Sequence, residues 1–190
     1  MKKLFLGLRW VIGAVLLIGS ISLGLGGIAY SATNTVINGG ASSVKLEGAA
    51  LTYSEECSAC HLAYPPQLLP SRSWNAILDG LDDHFGENAE LMPVTLDEVS
   101  AYLQSHAADV GNSRLGKKAL RGLKDSDTPL RITKLPFYIR QHDEVPDKYV
   151  TGNPQVGSFS QCQACHGKAS EQGIFNEDTV KIPGVKRWDD

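Results

Sequence analysis

Methionine is nearly missing from this 190-residue chain: apart from Met1 there is one, Met92. Cysteine is scarce, four in all, and there are five histidines. A basic excess is missing too, since 18 Lys and Arg face 21 Asp and Glu for a net charge of −3. That balance gives no support to nucleic-acid binding, which draws on clustered positive charge. No low-complexity tract interrupts the chain, and internal repetition is confined to one short motif. With so few sulfur and imidazole groups, the placement of each one carries information.

What the chain has first is an export pattern. MKKLFLGLR (residues 1–9) carries Lys2, Lys3 and Arg9 and no acid, residues 10–30 hold no charge, and the small-residue run AYSA (29–32) follows. A basic start, an apolar middle and a small-residue end make a secretory signal. The densest apolar stretch, residues 10–21, is shorter than a bilayer, whereas the whole run is just long enough to span one. Cleavage near residue 32 is favoured because the second half of the run is rich in Gly and Ser; an uncleaved anchor is the alternative. Either way the remainder is expected in the periplasm. There the other 15 basic residues face 21 acids, a net charge of −6, and cysteines tend to pair.

All four cysteines fall in two CxxC units, ECSACHL (56–62) and QCQACHG (161–167), each followed at once by histidine. A disulfide within each unit leaves the histidines unexplained. Thioredoxin-like chemistry calls for a βαβ setting, and no strong apolar strand precedes either unit. A four-thiolate zinc site does not require histidine directly behind both pairs. Covalent haem attachment explains the whole pattern. Two thiols one helical turn apart each add to a vinyl group of one porphyrin, and the next imidazole reaches the iron from the same face. Two c-type haems are therefore expected, on Cys57/Cys60 with His61 and on Cys162/Cys165 with His166.

The other face of each iron has few candidates: His84, His106, His142 and Met92. Met92-Pro93 stands ahead of a helix expected over residues 95–109 (TLDEVSAYLQSHAAD), with Thr95 as N-cap and Leu96, Val99, Tyr102 and Leu103 at helical spacing. Met92 lies only ten residues before Tyr102, which leaves little chain to cross a haem face. His84 lies eighteen before it, beside the turn-prone Gly86, and is the preferred sixth ligand; Met92 and an open position are the alternatives. His106, in the last turn of that helix, reads as a surface histidine favoured by the helix dipole. His142 lies twenty residues before Cys162 in a segment that reads as irregular. It is the preferred partner for the second iron, against a plain surface histidine.

These residues carry a resemblance. The N-terminal part resembles class I cytochromes c, with Tyr53 four residues before the first cysteine, Gly48 and Ala49 a turn earlier, and an AYL-bearing final helix. More specifically, the chain resembles the dihaem cytochrome c family known as DHC. The text that does so is CSACHLAYPPQLLPSRSW (57–74), LDDHFGENA (81–89), TPLRITKLPFYIRQHDEV (128–145) and CQACHGKASEQGIF (162–175). The resemblance implies bis-histidine irons, His61/His84 and His142/His166. It also implies an all-α architecture. A class I cytochrome c-like helical domain (33–110) would precede a basic linker (111–127) and a small, mostly irregular haem-wrapping C-terminal domain (128–190).

An iron with two protein imidazoles has no place for substrate, so an electron carrier, not an enzyme, is expected. Its potential should be low relative to His/Met sites. The family resemblance implies as partner a small oxygen-binding monohaem cytochrome, with a membrane b-type cytochrome possible upstream. The competing class is a dihaem oxidoreductase, of peroxidase or thiosulfate-oxidising type, in which one histidine leaves its iron. Two further features stay open. Arg114, Lys117, Lys118, Arg121 and Lys124 form a solvated linker helix or steer an acidic partner. Trp74 either covers a haem edge through its N–H or packs in the core.

Overall fold

In the computed structural model, residues 46–169 and 174–186 are described; the export segment expected over residues 1–32 lies outside them. The first described helix, α1 (Ala49–Cys57), follows Gly48, whose φ of 56° suits glycine best. A 3₁₀ turn at Pro66–Leu68 leads through Pro70 into α2 (Ser71–Leu78). After a second 3₁₀ turn (Leu81–Asp83) comes the longest described helix, α3 (Pro93–His106). Helices α4 (Arg114–Ala119), α5 (Pro136–His142) and the single turn α6 (Cys162–Cys165) follow. Short 3₁₀ turns stand at Ile132–Lys134, Asp147–Tyr149 and Glu177–Thr179. The chain is all-α: among the described residues the one pairing of extended backbone is an isolated bridge between His84 and Glu87. No described helix is long and apolar enough to cross a membrane.

Helix α3 starts two residues earlier and ends three residues sooner than the spacing predicts. Pro93 occupies its first turn, where a fixed φ and a missing N–H cost nothing, so Thr95 is not the cap. Asp109, expected inside the helix, instead turns back to α2. Its carboxylate accepts from the Ser71 amide (2.8 Å) and the Ser71 hydroxyl (2.7 Å), capping a helix whose own N-cap, Pro70, offers no side-chain acceptor. His142 also departs from expectation. It does not lie in irregular chain but closes α5, a helix opened by Pro136.

Most of the large buried side chains meet in one cluster. Tyr53, Leu68, Leu69, Trp74, Val99, Leu103 and Ala107 meet Ile132, Leu135 and Tyr138 from the later segment. Leu69, Leu103 and Leu135 are wholly enclosed, each stabilising the fold by roughly 1.5–3 kcal/mol. Helix α1 lies on α3 through the Tyr53 and Tyr102 rings, 5.4 Å apart. Trp74 meets Tyr53 edge-on and donates its indole N–H to the Pro66 carbonyl (2.8 Å), which selects the core-packing reading. Helix α4 sits against the end of α3 at Gly116, where any Cβ would lie 2.5 Å from the Ala108 carbonyl oxygen. Glycine there permits the contact.

Candidate haem centres

The first attachment motif begins where α1 ends: Cys57 is its last residue and Cys60 is exposed in the turn that follows. The His61 Nδ1 lies 2.7 Å from the Leu62 carbonyl. A carbonyl only accepts, so Nδ1 carries the proton and Nε2 keeps a free lone pair, the form that binds a metal. The ring stacks on Tyr64 at 4.7 Å and 19°. Facing it, with ring centres 6.2 Å apart and planes at 29°, is His84.

Local backbone chemistry aims His84. It leads a two-residue turn in which Phe85 (φ 59°) and Gly86 (φ 104°) are both left-handed. Its amide donates to the Glu87 carbonyl (2.7 Å), and the Gly86 amide donates to Asp83 Oδ1 (2.9 Å). Gly86 takes its conformation freely, whereas Phe85 is held in one that bulky residues avoid, a form of strain that clusters at functional sites. The Arg131 guanidinium lies 3.9 Å over the Phe85 ring, and that ring meets His84 at 4.7 Å. Met92 caps α3 and is 72% exposed.

The second motif is built differently. Cys162–Cys165 form the one-turn α6, closed by the His166 amide donating to the Cys162 carbonyl (2.8 Å). His142 stacks flat on Tyr138, one turn back in α5, at 4.0 Å and 12°, and its Nδ1–H donates to the Tyr138 carbonyl (3.0 Å). Nε2 is thereby left free here too. His142 and His166 face each other with ring centres again 6.2 Å apart, but with planes at 73°. Phe159 stands edge-on to His142, and Phe175 lies 5.5 Å from His166.

Electrostatics agree with ligand-ready groups. Burial holds His84, His142 and His166 below the ordinary histidine value, helped at His84 by the neighbouring His61 and Arg131 and at His166 by His142. Neutral imidazoles are the metal-binding form. Burial also pushes the Cys57 and Cys162 thiols up to about 11, the opposite of the low values that drive CxxC redox exchange. None of the four cysteines is paired with another, so neither unit is a disulfide. Among the described residues no group of three or more His, Cys, Asp or Glu stands ready to hold a metal ion, so the two CxxC units do not converge on a zinc site.

The geometry fits a haem iron between each histidine pair. Two imidazoles bound across one metal, each through a nitrogen at about 2 Å, place their ring centres about 6 Å apart. Both pairs meet that spacing. Sequence reasoning missed the rings that support them. Tyr138, four residues before His142 on one helix face, was open to discovery from that spacing. Tyr64, three residues after His61, has a second contact that no local spacing gives: its hydroxyl donates to the Ser160 carbonyl (2.8 Å), 96 residues away and two before Cys162. His106 is exposed and its Nδ1–H donates to the Tyr102 carbonyl, a structural role.

Comparison with known proteins agrees with the two motifs. A family model for dihaem cytochrome c matches residues 53–175. A diheme cytochrome c from Rhodobacter sphaeroides is 44% identical, over 66% of this chain and 95% of that one, with a TM-score of 0.60. A diheme cytochrome type c from Shewanella baltica OS155 is also 44% identical, over 75% of this chain and 100% of that one, with a TM-score of 0.61. DHC purified from Rhodobacter sphaeroides is 40% identical, over 66% of this chain and 96% of that one, at 0.53. Among curated proteins none matches.

Proposed function

Because the chain belongs to the dihaem cytochrome c family and carries two covalently bound c-type haems, we propose that it is a periplasmic electron carrier. In this reading its irons are held by His61/His84 and His142/His166. The observation that supports it most is the matched separation of the two histidine pairs, 6.2 Å in each.

Each haem supplies one position for a reversible one-electron change. The protein's own residues do the rest. Cys57, Cys60, Cys162 and Cys165 anchor the two groups through thioethers. The hydrogen bonds from His61 and His142 to backbone carbonyls fix ring orientation and tautomer and strengthen each nitrogen as a donor. Tyr64, Tyr138 and Phe159 pack against the rings and keep water from them. Imidazole pairs donate more strongly to ferric iron than a His/Met set does, so the potentials are low. With two imidazoles holding each iron, substrate would have no entry, which supports a carrier over an enzyme.

The counterpart of this carrier is another redox protein, a small oxygen-binding monohaem cytochrome downstream, with a membrane b-type cytochrome upstream. Export to the periplasm is supported by the basic, apolar and small-residue order of residues 1–32. The test is an anaerobic reductive titration followed by challenge with hydrogen peroxide. Uptake of two electrons per chain and reoxidation without sustained peroxide turnover are expected. Sustained turnover would replace the carrier with an oxidoreductase.

A further inference from the structure

We propose that the cleft between α4 with its following turn and α5 is the docking face for an acidic patch on a redox-protein partner, and that it serves the second haem centre. This rests on the electron-carrier reading and adds the place of exchange. The cleft has a volume of about 200 Å³ and is lined by Lys118, Arg121, Phe137, Arg140 and Gln141. Three cations thus converge from two separate segments. Among the described residues none of them, nor the neighbouring Lys117, makes an ion pair. Uncompensated like charges repel, and an acidic partner relieves that repulsion as it docks.

The cleft is built, not a frayed linker. Gly122 adopts φ 91°, and a Cβ there would press on Pro136 at 3.3 Å, so the backbone of the 111–127 segment rides directly on the start of α5. Arg140 reaches back across the gap to the Arg121 carbonyl (3.5 Å). Gly116 locks α4 against Ala108 on the other side. A solvated linker needs none of these close approaches.

Helix α5 has two working faces. Phe137, Arg140 and Gln141 turn toward the cleft, while Tyr138 and His142 stack on each other toward His166. A helix is about 10 Å across with its side chains, so a partner seated in the cleft lies one helix away from the second histidine pair. Phe137 adds an apolar ring among the three cations, a mixture that suits the small, short-lived interfaces of electron transfer.

The experiment uses the full holoprotein and a plant-type [2Fe–2S] ferredoxin, an acidic low-potential protein, as reduced donor in stopped flow. Basic mitochondrial cytochrome c serves as the acceptor of opposite charge. The variants are Lys118→Glu/Arg121→Glu/Arg140→Glu and the milder Lys118→Gln/Arg121→Gln, which leaves Arg140 in place. Their visible spectra and two-electron titrations check that both centres are intact. At low ionic strength the reversal is expected to slow ferredoxin exchange about tenfold and flatten its salt dependence. The neutral pair should do the same to a smaller extent, and exchange with cytochrome c should not slow. An unchanged ferredoxin rate and salt slope in intact variants overturns the proposal. So does binding of inorganic phosphate in the cleft with ferredoxin exchange indifferent to the substitutions, which would mark a small-anion site instead. Failure of the carrier reading looks different: wild type and variants alike would exchange with neither protein.

Discussion

At the scale of single residues, the sixth ligands decide the chemistry. His84 faces His61 across 6.2 Å while Met92 stands 72% exposed. His84→Ala is therefore expected to open one iron per chain to carbon monoxide in the reduced state, with the second unaffected. Met92→Leu is expected to leave the spectrum alone; loss of a near-infrared methionine–iron band in that variant would reverse the assignment. The ring planes give a second expectation. With an iron held between them, as proposed, the first pair at 29° would donate mostly into one d orbital and split it from its neighbour, and the second at 73° would leave the two close in energy. Electron paramagnetic resonance of the oxidised protein should then show one rhombic low-spin signal and one highly anisotropic signal. Two identical rhombic signals would contradict the geometry. The Cys and His spacing was legible in the sequence because attachment chemistry fixes it within five residues. The bond from the Tyr64 hydroxyl to the Ser160 carbonyl was not, because nothing local signals a contact made across 96 residues, and the same holds for Phe159 against His142.

At the scale of elements, helix ends hold most of what sequence periodicity could not give. The apolar spacing of Leu96, Val99 and Leu103 found α3, but its limits depend on Pro93 and on the backbone's departure at Ala107. Asp109 shows why such limits matter. Burial works against its charge, yet the Ser71 amide and hydroxyl, with Arg72 at 4.0 Å, hold its pKa below the ordinary carboxylate value. A carboxyl whose folded pKa is depressed contributes stability above its unfolded pKa and loses it as pH falls through the folded one. Asp109→Ala is expected to cost about 1 kcal/mol at pH 7, the usual worth of a helix cap. Urea unfolding of the oxidised holoprotein should show the gap closing below about pH 4. A gap that persists at pH 2–3 would mean the side chain acts by packing and not by capping. His142 teaches the same lesson from the other side. Seven residues opened by a proline are too short for a clear period, so the sequence read as irregular where α5 forms.

For the whole molecule, the two haem segments share one core. Ile132, Leu135 and Tyr138 join the cluster built on α1, α2 and α3, and the Tyr138 hydroxyl donates to the Phe159 carbonyl as Tyr64 does to that of Ser160. The order of the family-like segments was visible in the chain, but their union was not, since it rests on contacts between residues far apart in sequence. Among the described residues few large side chains are wholly buried, so bound haems would add apolar surface to a core this small. Everything functional then turns on whether both irons are closed. The direct measurement is anaerobic addition of carbon monoxide to the fully reduced wild-type protein, with His84→Ala as the open reference. No change in the haem spectrum over minutes is expected at either centre. Rapid binding of one carbon monoxide per chain would show an open iron and contradict the account.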